Sequence, residues 1–191
     1  MSFMKKILET DDRLSCKMRL SNDAWQGWHK TASFLAHTGD SWYILPVLLL
    51  VWLFAGCAWH NRATLMGLGI VFLATIVLIL KFTIRRSRPA GDWGEVYRST
   101  DPHSFPSGHA ARVSYIAVMA IGLGPVWFAI AAVIWAPLVG LARIAKGVHY
   151  LSDIVAGMFV GIAWGLVTLA LGDFLLRIFS HIPFIVCTAA L

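Results

Sequence analysis

The chain has 191 residues, of which 58% are hydrophobic and 14% are charged, whereas soluble domains contain roughly 45–50% apolar residues. This composition excludes an ordinary water-soluble globule, and the length allows a single domain. The net charge of +6 does not indicate nucleic-acid binding, because the basic residues lie between apolar runs and form no contiguous basic face. We therefore expect a lipid bilayer and anionic headgroups or phosphate groups as partners, and no nucleic acid.

The first forty residues (1–40) are predicted to form an interfacial segment, followed by a membrane domain over residues 41–191. Apolar residues recur at helical spacing among lysines and arginines in residues 3–18, a pattern typical of an amphipathic helix on a membrane surface. A second helix of this kind is expected around residues 25–35, before Gly39 and Asp40 break the pattern. The N-terminus lacks an uninterrupted apolar core and a small-residue cleavage site, so we expect no cleavable signal peptide.

The remainder is predicted to be all-α, a polytopic bundle of about five to six transmembrane helices. Unbroken apolar runs favour helices over barrel strands, which require alternating polarity. Five runs are visible, at residues 42–59, 64–84, 109–123, 125–142 and 151–178. Short connections are expected at 60–62, 122–125 and 144–150, with one long polar loop at 85–105. We expect the chemistry beside this loop, because functional residues concentrate on loops held by a rigid scaffold.

The three cysteines predict neither a disulfide framework nor a zinc site. Their number is odd, and Cys57 and Cys187 lie in or beside apolar runs.

Polar clusters lie at the ends of the apolar runs. The first contains Lys81, Arg88 and Pro89 and closes the second run. The second covers residues 105–109, where Pro and Gly favour a turn and Ser107 is suited to cap the following helix. Backbone N–H groups at such a helix start form an anion-binding site.

A third cluster joins Arg143 to His149 and Asp153 before the fifth run. If the helix has begun by His149, the spacing of four places the last two on one helical face, where the carboxylate can fix the imidazole tautomer and stabilise its cation. Each cluster alone has a simpler explanation: headgroup contact, helix capping or an ion pair. The conjunction is more specific, because threading the runs through a membrane in order brings all three clusters to the same side.

The order and spacing of these residues resemble those of the type 2 phosphatidic acid phosphatase family of membrane lipid phosphatases, which shares its signature with vanadium haloperoxidases and acid phosphatases. The family pattern is K-x6-RP, then PSGH, then SR-x5-H-x3-D. The chain matches it over residues 81–89, 106–109 and 143–153, and departs from it at Ala142, where the family usually has Ser.

The resemblance implies a phosphatase that uses no metal and no cofactor. His149 is the implied nucleophile, which forms a phosphohistidine, and Asp153 orients its ring. His109 is the implied acid for the leaving oxygen and the base for the attacking water. Arg112, one turn beyond His109, is left open between a phosphate contact, an ion pair with Asp153 and an internal structural role. The residues implied to hold the phosphate are Lys81, Arg88, Ser107, Gly108 and Arg143.

The implied function is hydrolysis of a lipid phosphate: phosphatidic acid, phosphatidylglycerol phosphate or a polyprenyl phosphate, with undecaprenyl pyrophosphate as the nearest alternative. A vanadium haloperoxidase is disfavoured because those relatives are soluble. A channel or scaffold is disfavoured because it has no use for buried ionisable groups in a membrane. The sequence leaves the physiological lipid and the oligomeric state open.

Two arguments give opposite answers about which side of the membrane the active site faces. Lysines and arginines concentrate on the active-site side, which the positive-inside rule would place in the cytoplasm. Bacterial members of the resembled family usually work on the outer face of the inner membrane, and a phosphate site selects basic residues in either orientation. We expect a bacterial inner membrane with the active site facing the periplasm or the outside.

Overall fold

The fold is all-α, as the sequence predicts. The computed structural model describes residues 3–21, 23–89, 101–182 and 185–187. Within those residues there are seven helices: α1 (Phe3–Met18), α2 (Gln26–Thr38), α3 (Ser41–Phe54), α4 (Cys57–Ile84), α5 (Gly108–Leu123), α6 (Val126–Ala145) and α7 (Leu151–Phe179). Most of the predicted long loop, residues 90–100, lies outside the described residues.

Three of the described helices, α4, α6 and α7, are long and apolar enough to cross a membrane. Helices α2 and α3 meet at a bend of 50° and together form a fourth candidate span. Helix α5 is apolar but has only 16 residues, about 24 Å of helix against a hydrocarbon core of about 30 Å. The polytopic helical class is therefore confirmed. Helix α2, which the sequence assigned to the interface, is one half of this bent pair, and its interfacial position stays a prediction.

The boundary between the first two predicted runs is wrong. Helix α3 ends at Phe54, and α4 begins at Cys57, so the predicted connection at 60–62 lies inside α4. The break falls at Gly56, which has extended backbone (φ −63°, ψ 164°) as the N-cap of α4. Glycine has a lower helix propensity than its apolar neighbours, which favours a break between α3 and α4 at this position.

The prediction of no disulfide is also wrong, because Cys57 and Cys187 form one across 130 residues of chain. An odd cysteine count leaves one thiol over but does not prevent the other two from pairing. Asn61 reinforces the link, since its amide donates to the Cys187 carbonyl at 3.0 Å and its carbonyl accepts from the Cys187 N–H at 2.8 Å. The C-terminal segment is therefore joined to the start of α4.

Close contact between α5 and α7 holds the second and third polar clusters together. A Cβ atom added at Gly161 would overlap the Ala111 carbonyl oxygen, and one at Gly157 would overlap the Ser107 carbonyl oxygen. The two backbones therefore approach closely only because these positions lack side chains. At the same interface the Ser107 N–H donates to the Asp153 carbonyl at 3.0 Å.

Two residues with positive φ turn the chain into the site. Arg85 ends α4 in the left-handed conformation (φ 53°). Gly147 (φ 68°) lies in the turn between α6 and α7, where glycine carries no Cβ penalty. These turns bring the residues of the first and third clusters back toward the bundle end.

Gly161→Ala should separate α7 from α5 and lower the free energy of unfolding by about 1–3 kcal/mol, the usual cost of overpacking. Thermal unfolding in detergent measures the change. Gly67→Ala is the matched control, because a Cβ at Gly67 meets nothing within 4 Å. Equal melting temperatures for the two variants would contradict the close-packing account.

Candidate active site

The three predicted clusters meet at one end of the helical bundle. Lys81 lies in the last turn of α4 and Arg143 in the last turn of α6. Ser107 is the N-cap of α5, and its side chain accepts from the Ala110 N–H. The residues of the combined cluster that are at most 6% exposed are Lys81, Arg88, Ser107, Arg143, His149 and Asp153.

His149 has different partners at its two ring nitrogens. Nδ1 lies 3.5 Å from Oδ2 of Asp153, and Nε2 lies 3.3 Å from an Nη atom of Arg88. Burial first, and then the positive charges of Arg143 and Arg88, hold the pKa of His149 well below its ordinary value. The ring is therefore neutral near pH 7 and keeps a lone pair for nucleophilic attack.

A carboxylate bridges the two cations of the first cluster. Asp101 accepts from Nζ of Lys81 at 2.8 and 3.0 Å and from Nη2 of Arg88 at 2.8 Å. Lys81 also donates to the His103 carbonyl at 2.7 Å. Asp101 thus lies where the resemblance implies that a phosphate group binds, and sequence reasoning missed it.

His109 contacts a second aspartate that the sequence did not indicate. Its Nε2 atom forms a short hydrogen bond with Asp40, at the break between α2 and α3. The other oxygen of Asp40 lies 2.9 Å from Nδ1 of His37. Arg112 donates to the Gly39 carbonyl at the same break. Of the three roles that the sequence left open for Arg112, this contact matches the internal structural one.

Arg86, which lies between the predicted Lys81 and Arg88, contacts the Asp153 carboxylate directly. It donates to Oδ1 of Asp153 at 2.8 Å and to Asp11 of α1 at 2.7 Å. Its guanidinium carbon also lies 3.9 Å from the centroid of the Tyr150 ring. The only signal available in the sequence was its position within the first cluster.

A cavity of about 200 Å³ opens beside this cluster. Its polar lining consists of Lys81, Asp101, His109 and Arg112, together with Gly108. Its apolar lining comes from α4: Ile70, Leu73, Ala74, Val77 and Leu78. The cavity therefore joins a polar end, with two cations and a carboxylate, to an apolar wall. The described residues that line it do not include His149, Arg88 or Arg143. Across the described ranges no three His, Cys, Asp or Glu side chains are arranged to hold a metal ion.

Comparison with known proteins identifies the family. The pattern of the PAP2 superfamily matches residues 62–176, which include all three clusters. The chain belongs to the PAP2 superfamily. The resemblance predicted from the motifs is thus confirmed for the greater part of the chain.

Individual PAP2 relatives are similar at moderate identity. The chain is 32% identical to an undecaprenyl-diphosphatase of Sulfolobus acidocaldarius over 67% of its own length and 63% of that protein. It is 28% identical to a lipid A 1-phosphatase of Porphyromonas gingivalis, over 63% of its own length and 26% of that protein. The chain thus spans less than two thirds of these two relatives.

A solved PAP2 structure has the same fold. It is the transmembrane PAP2 type phosphatidylglycerolphosphate phosphatase from Bacillus subtilis, with a TM-score of 0.72 and 23% identity, covering 88% of this chain and 87% of that one.

Asp101→Asn should tighten the binding of orthovanadate, an analogue of phosphate. The substitution removes a negative charge that competes with the anion for Lys81 and Arg88, and we expect the dissociation constant to fall by about tenfold or more. Calorimetric titration of the detergent-solubilised protein measures it. Asp173→Asn, in α7 far along the chain from the site, is the control. Weaker binding by Asp101→Asn would show that Asp101 holds the cations in place for the anion and does not compete with it.

Proposed function

We propose that the protein hydrolyses the phosphate ester or pyrophosphate of a membrane lipid through a phosphohistidine on His149. The observation that carries the proposal is the cavity beside the buried cation cluster, whose polar end, with Lys81 and Arg112 beside Asp101, continues into an apolar wall along α4. A lipid phosphate has the same two parts, a dense negative charge and a hydrocarbon chain. The names of the relatives, which are phosphatases of lipids, support the same class.

In the first step, Nε2 of His149 attacks phosphorus while the bond from phosphorus to the leaving oxygen breaks. Lys81, Arg88 and Arg143, with the N–H groups at the start of α5, stabilise the charge on the transferring phosphoryl group. The negative charges of the bound phosphate and of Asp40, which contacts Nε2 of His109, favour uptake of a proton by the His109 ring when substrate binds. The protonated ring then gives this proton to the leaving oxygen. Asp153 stabilises the positive charge that the His149 ring acquires, because it faces Nδ1.

In the second step, water attacks phosphorus and the bond between phosphorus and nitrogen breaks. His109, deprotonated by the first step, takes a proton from this water. Inorganic phosphate leaves, and His149 returns to its neutral form. The proposed steps use side chains of this chain alone, because the buried cations supply the positive charge that a metal ion supplies in other phosphatases.

Substrate binding requires a rearrangement at Asp101. Its carboxylate pairs with Lys81 and Arg88, so an entering phosphate must displace it. The Asp101 side chain is 35% exposed, which gives it a path toward solvent. Exchange of a carboxylate for a phosphate keeps the two cations compensated throughout binding.

Undecaprenyl pyrophosphate is the second candidate substrate. The relative from Sulfolobus acidocaldarius is named as an undecaprenyl-diphosphatase, and the apolar wall of α4 suits a polyprenyl chain as well as an acyl chain. With a pyrophosphate the leaving group is a lipid monophosphate, and the proposed chemistry is otherwise unchanged.

The protein is an integral membrane protein, and we propose that α1 lies at the membrane surface on the active-site side. Four apolar residues of α1 are exposed: Ile7, Leu8, Leu14 and Met18. Lys5, Lys6 and Arg13 are exposed on the other side of the helix. This division suits a helix between headgroups and acyl chains.

For orientation, we propose that the active site faces the cytoplasm, opposite to the outer face that the sequence analysis expects, and the labelling experiment below decides between the two. Lys81 follows Cys57 by 24 residues along α4, about 36 Å of helix, so the disulfide and the site lie at opposite membrane faces. Disulfides persist in oxidising compartments, and the basic residues of the N-terminal segment obey the positive-inside rule in the same orientation.

We expect the purified protein to release inorganic phosphate from phosphatidic acid, phosphatidylglycerol phosphate or undecaprenyl pyrophosphate in detergent with excess EDTA. His149→Ala should reduce the rate by at least about a thousandfold, because no phosphoenzyme can form. His181→Ala, an exposed histidine beyond the end of α7, is the matched control. Release that stops with EDTA and returns with magnesium would contradict the mechanism, and no release from any lipid would contradict the function.

Cys16 reports the orientation without any added residue, because it is exposed and is the cysteine that remains outside the disulfide. An impermeant maleimide should leave it unlabelled in intact cells and label it after lysis. Cys16→Ser is the control for non-specific labelling. Labelling of Cys16 in intact cells would place α1 and the active site on the outer face.

A further inference from the structure

Helix α1 carries two buried polar residues in the middle of its apolar side. Asp11 and Ser15 are 8% and 6% exposed, one helical turn apart. Ile7, Leu14 and Met18 flank them on the same side of the helix by a spacing of 100° per residue. A helix that only had to lie on a membrane would have apolar residues at these two positions.

Both side chains cap the first turn of α7. The Leu151 N–H donates to Oγ of Ser15 at 2.8 Å, and the Ser152 N–H donates to Oδ1 of Asp11 at 3.0 Å. The first N–H groups of a helix have no partners within the helix. Helix α1 therefore fixes the end of α7 that carries the catalytic carboxylate Asp153.

Arg86 connects Asp11 to Asp153. It donates to Oδ2 of Asp11 at 2.7 Å and to Oδ1 of Asp153 at 2.8 Å. The other oxygen of Asp153 accepts from the Tyr150 N–H at 2.9 Å and faces His149. The contacts thus run from the surface helix to the proposed nucleophile in the order Asp11, Arg86, Asp153 and His149.

The charge of Arg86 is shared between two carboxylates. Asp153 is fully buried, where an adjacent guanidinium reduces the negative potential that it exerts on the His149 ring. Because Arg86 also pairs with Asp11, its positive charge compensates Asp153 only in part. Burial acts to raise the pKa of Asp11, but the hydrogen bonds from Ser152 and Arg86 outweigh it and lower the pKa, so Asp11 is ionised at neutral pH.

We propose that Asp11 is a positioning residue of the active site, which acts through Arg86 on the Asp153–His149 pair. It directs Arg86 to one oxygen of Asp153 and leaves the other for Nδ1 of His149. The inference rests on the proposed phosphohistidine mechanism, in which the His149 ring becomes positively charged.

Asp11→Asn should lower kcat for phosphate release by about tenfold or more with KM changed less than about twofold, because the phosphate-binding cations are untouched. Asp12→Asn removes the same charge from an exposed neighbour on α1 and should leave both constants unchanged. Ser15→Ala removes the other cap of α7 and should lower the melting temperature while kcat stays near that of the wild type.

A double-mutant cycle with Arg86→Gln separates positioning from general destabilisation. If Asp11 acts through Arg86, the double variant should be no slower than Arg86→Gln alone. Three results would each overturn the proposal. They are a double variant whose fold-reduction in kcat is the product of those of the two single variants, a wild-type kcat in Asp11→Asn, and a kcat in Ser15→Ala that falls as far as in Asp11→Asn.

If Asp11→Asn does not fold, Asp11→Glu keeps the charge with one more methylene and should lower kcat at least threefold. An unchanged kcat in Asp11→Glu would overturn the proposal. An inactive wild-type protein would instead contradict the proposed function.

Discussion

The burial of positive charge is the constraint on which the site depends. Lys81, Arg88 and Arg143 are only 2–6% exposed, at the end of a helical bundle where lost hydration is costly. Buried cations require anionic or polar partners, and Asp101 supplies a carboxylate to the first two. A phosphate group offers the same sign of charge with more oxygen atoms. The arrangement therefore suits replacement of the Asp101 carboxylate by a phosphate group better than a permanent salt bridge.

In the proposed mechanism, the same positive charges have opposite effects on the His149 ring before and after it reacts. Near Arg88, Nε2 has to stay unprotonated, and burial together with the cations ensures this by lowering the pKa of the ring. In the proposed phosphohistidine, the ring is a cation among other positive charges. Asp153, 3.5 Å from Nδ1, is the group that compensates this charge. Cations without the carboxylate would give an available nucleophile and an unstable intermediate, so both are needed.

Sequence reasoning succeeded where spacing along the chain determines contact. His149 and Asp153 are four residues apart, and Ser107 lies next to the helix that it caps, so local geometry brings these groups together. It failed where packing determines contact. Asp40 is 69 residues from His109, and Asp11 is 141 residues from Ser152, so no local pattern pairs them. The Cys57–Cys187 link also joins distant parts of the chain, and the odd number of cysteines does not exclude it. At Gly56, hydrophobicity concealed a helix break that the glycine itself could have indicated.

The carboxylates that compensate the site come from different parts of the chain. Residues 62–176, which match the family pattern, contain the cations, both histidines, Asp101 and Asp153. Asp11 and Asp40 come from the N-terminal segment outside the match, yet they contact Arg86 and His109 of the same site. Coulombic attraction depends on distance and burial and not on position in the chain. The motif therefore determines that compensating charge must be present, while the packing of α1 and of the break between α2 and α3 determines which residues supply it.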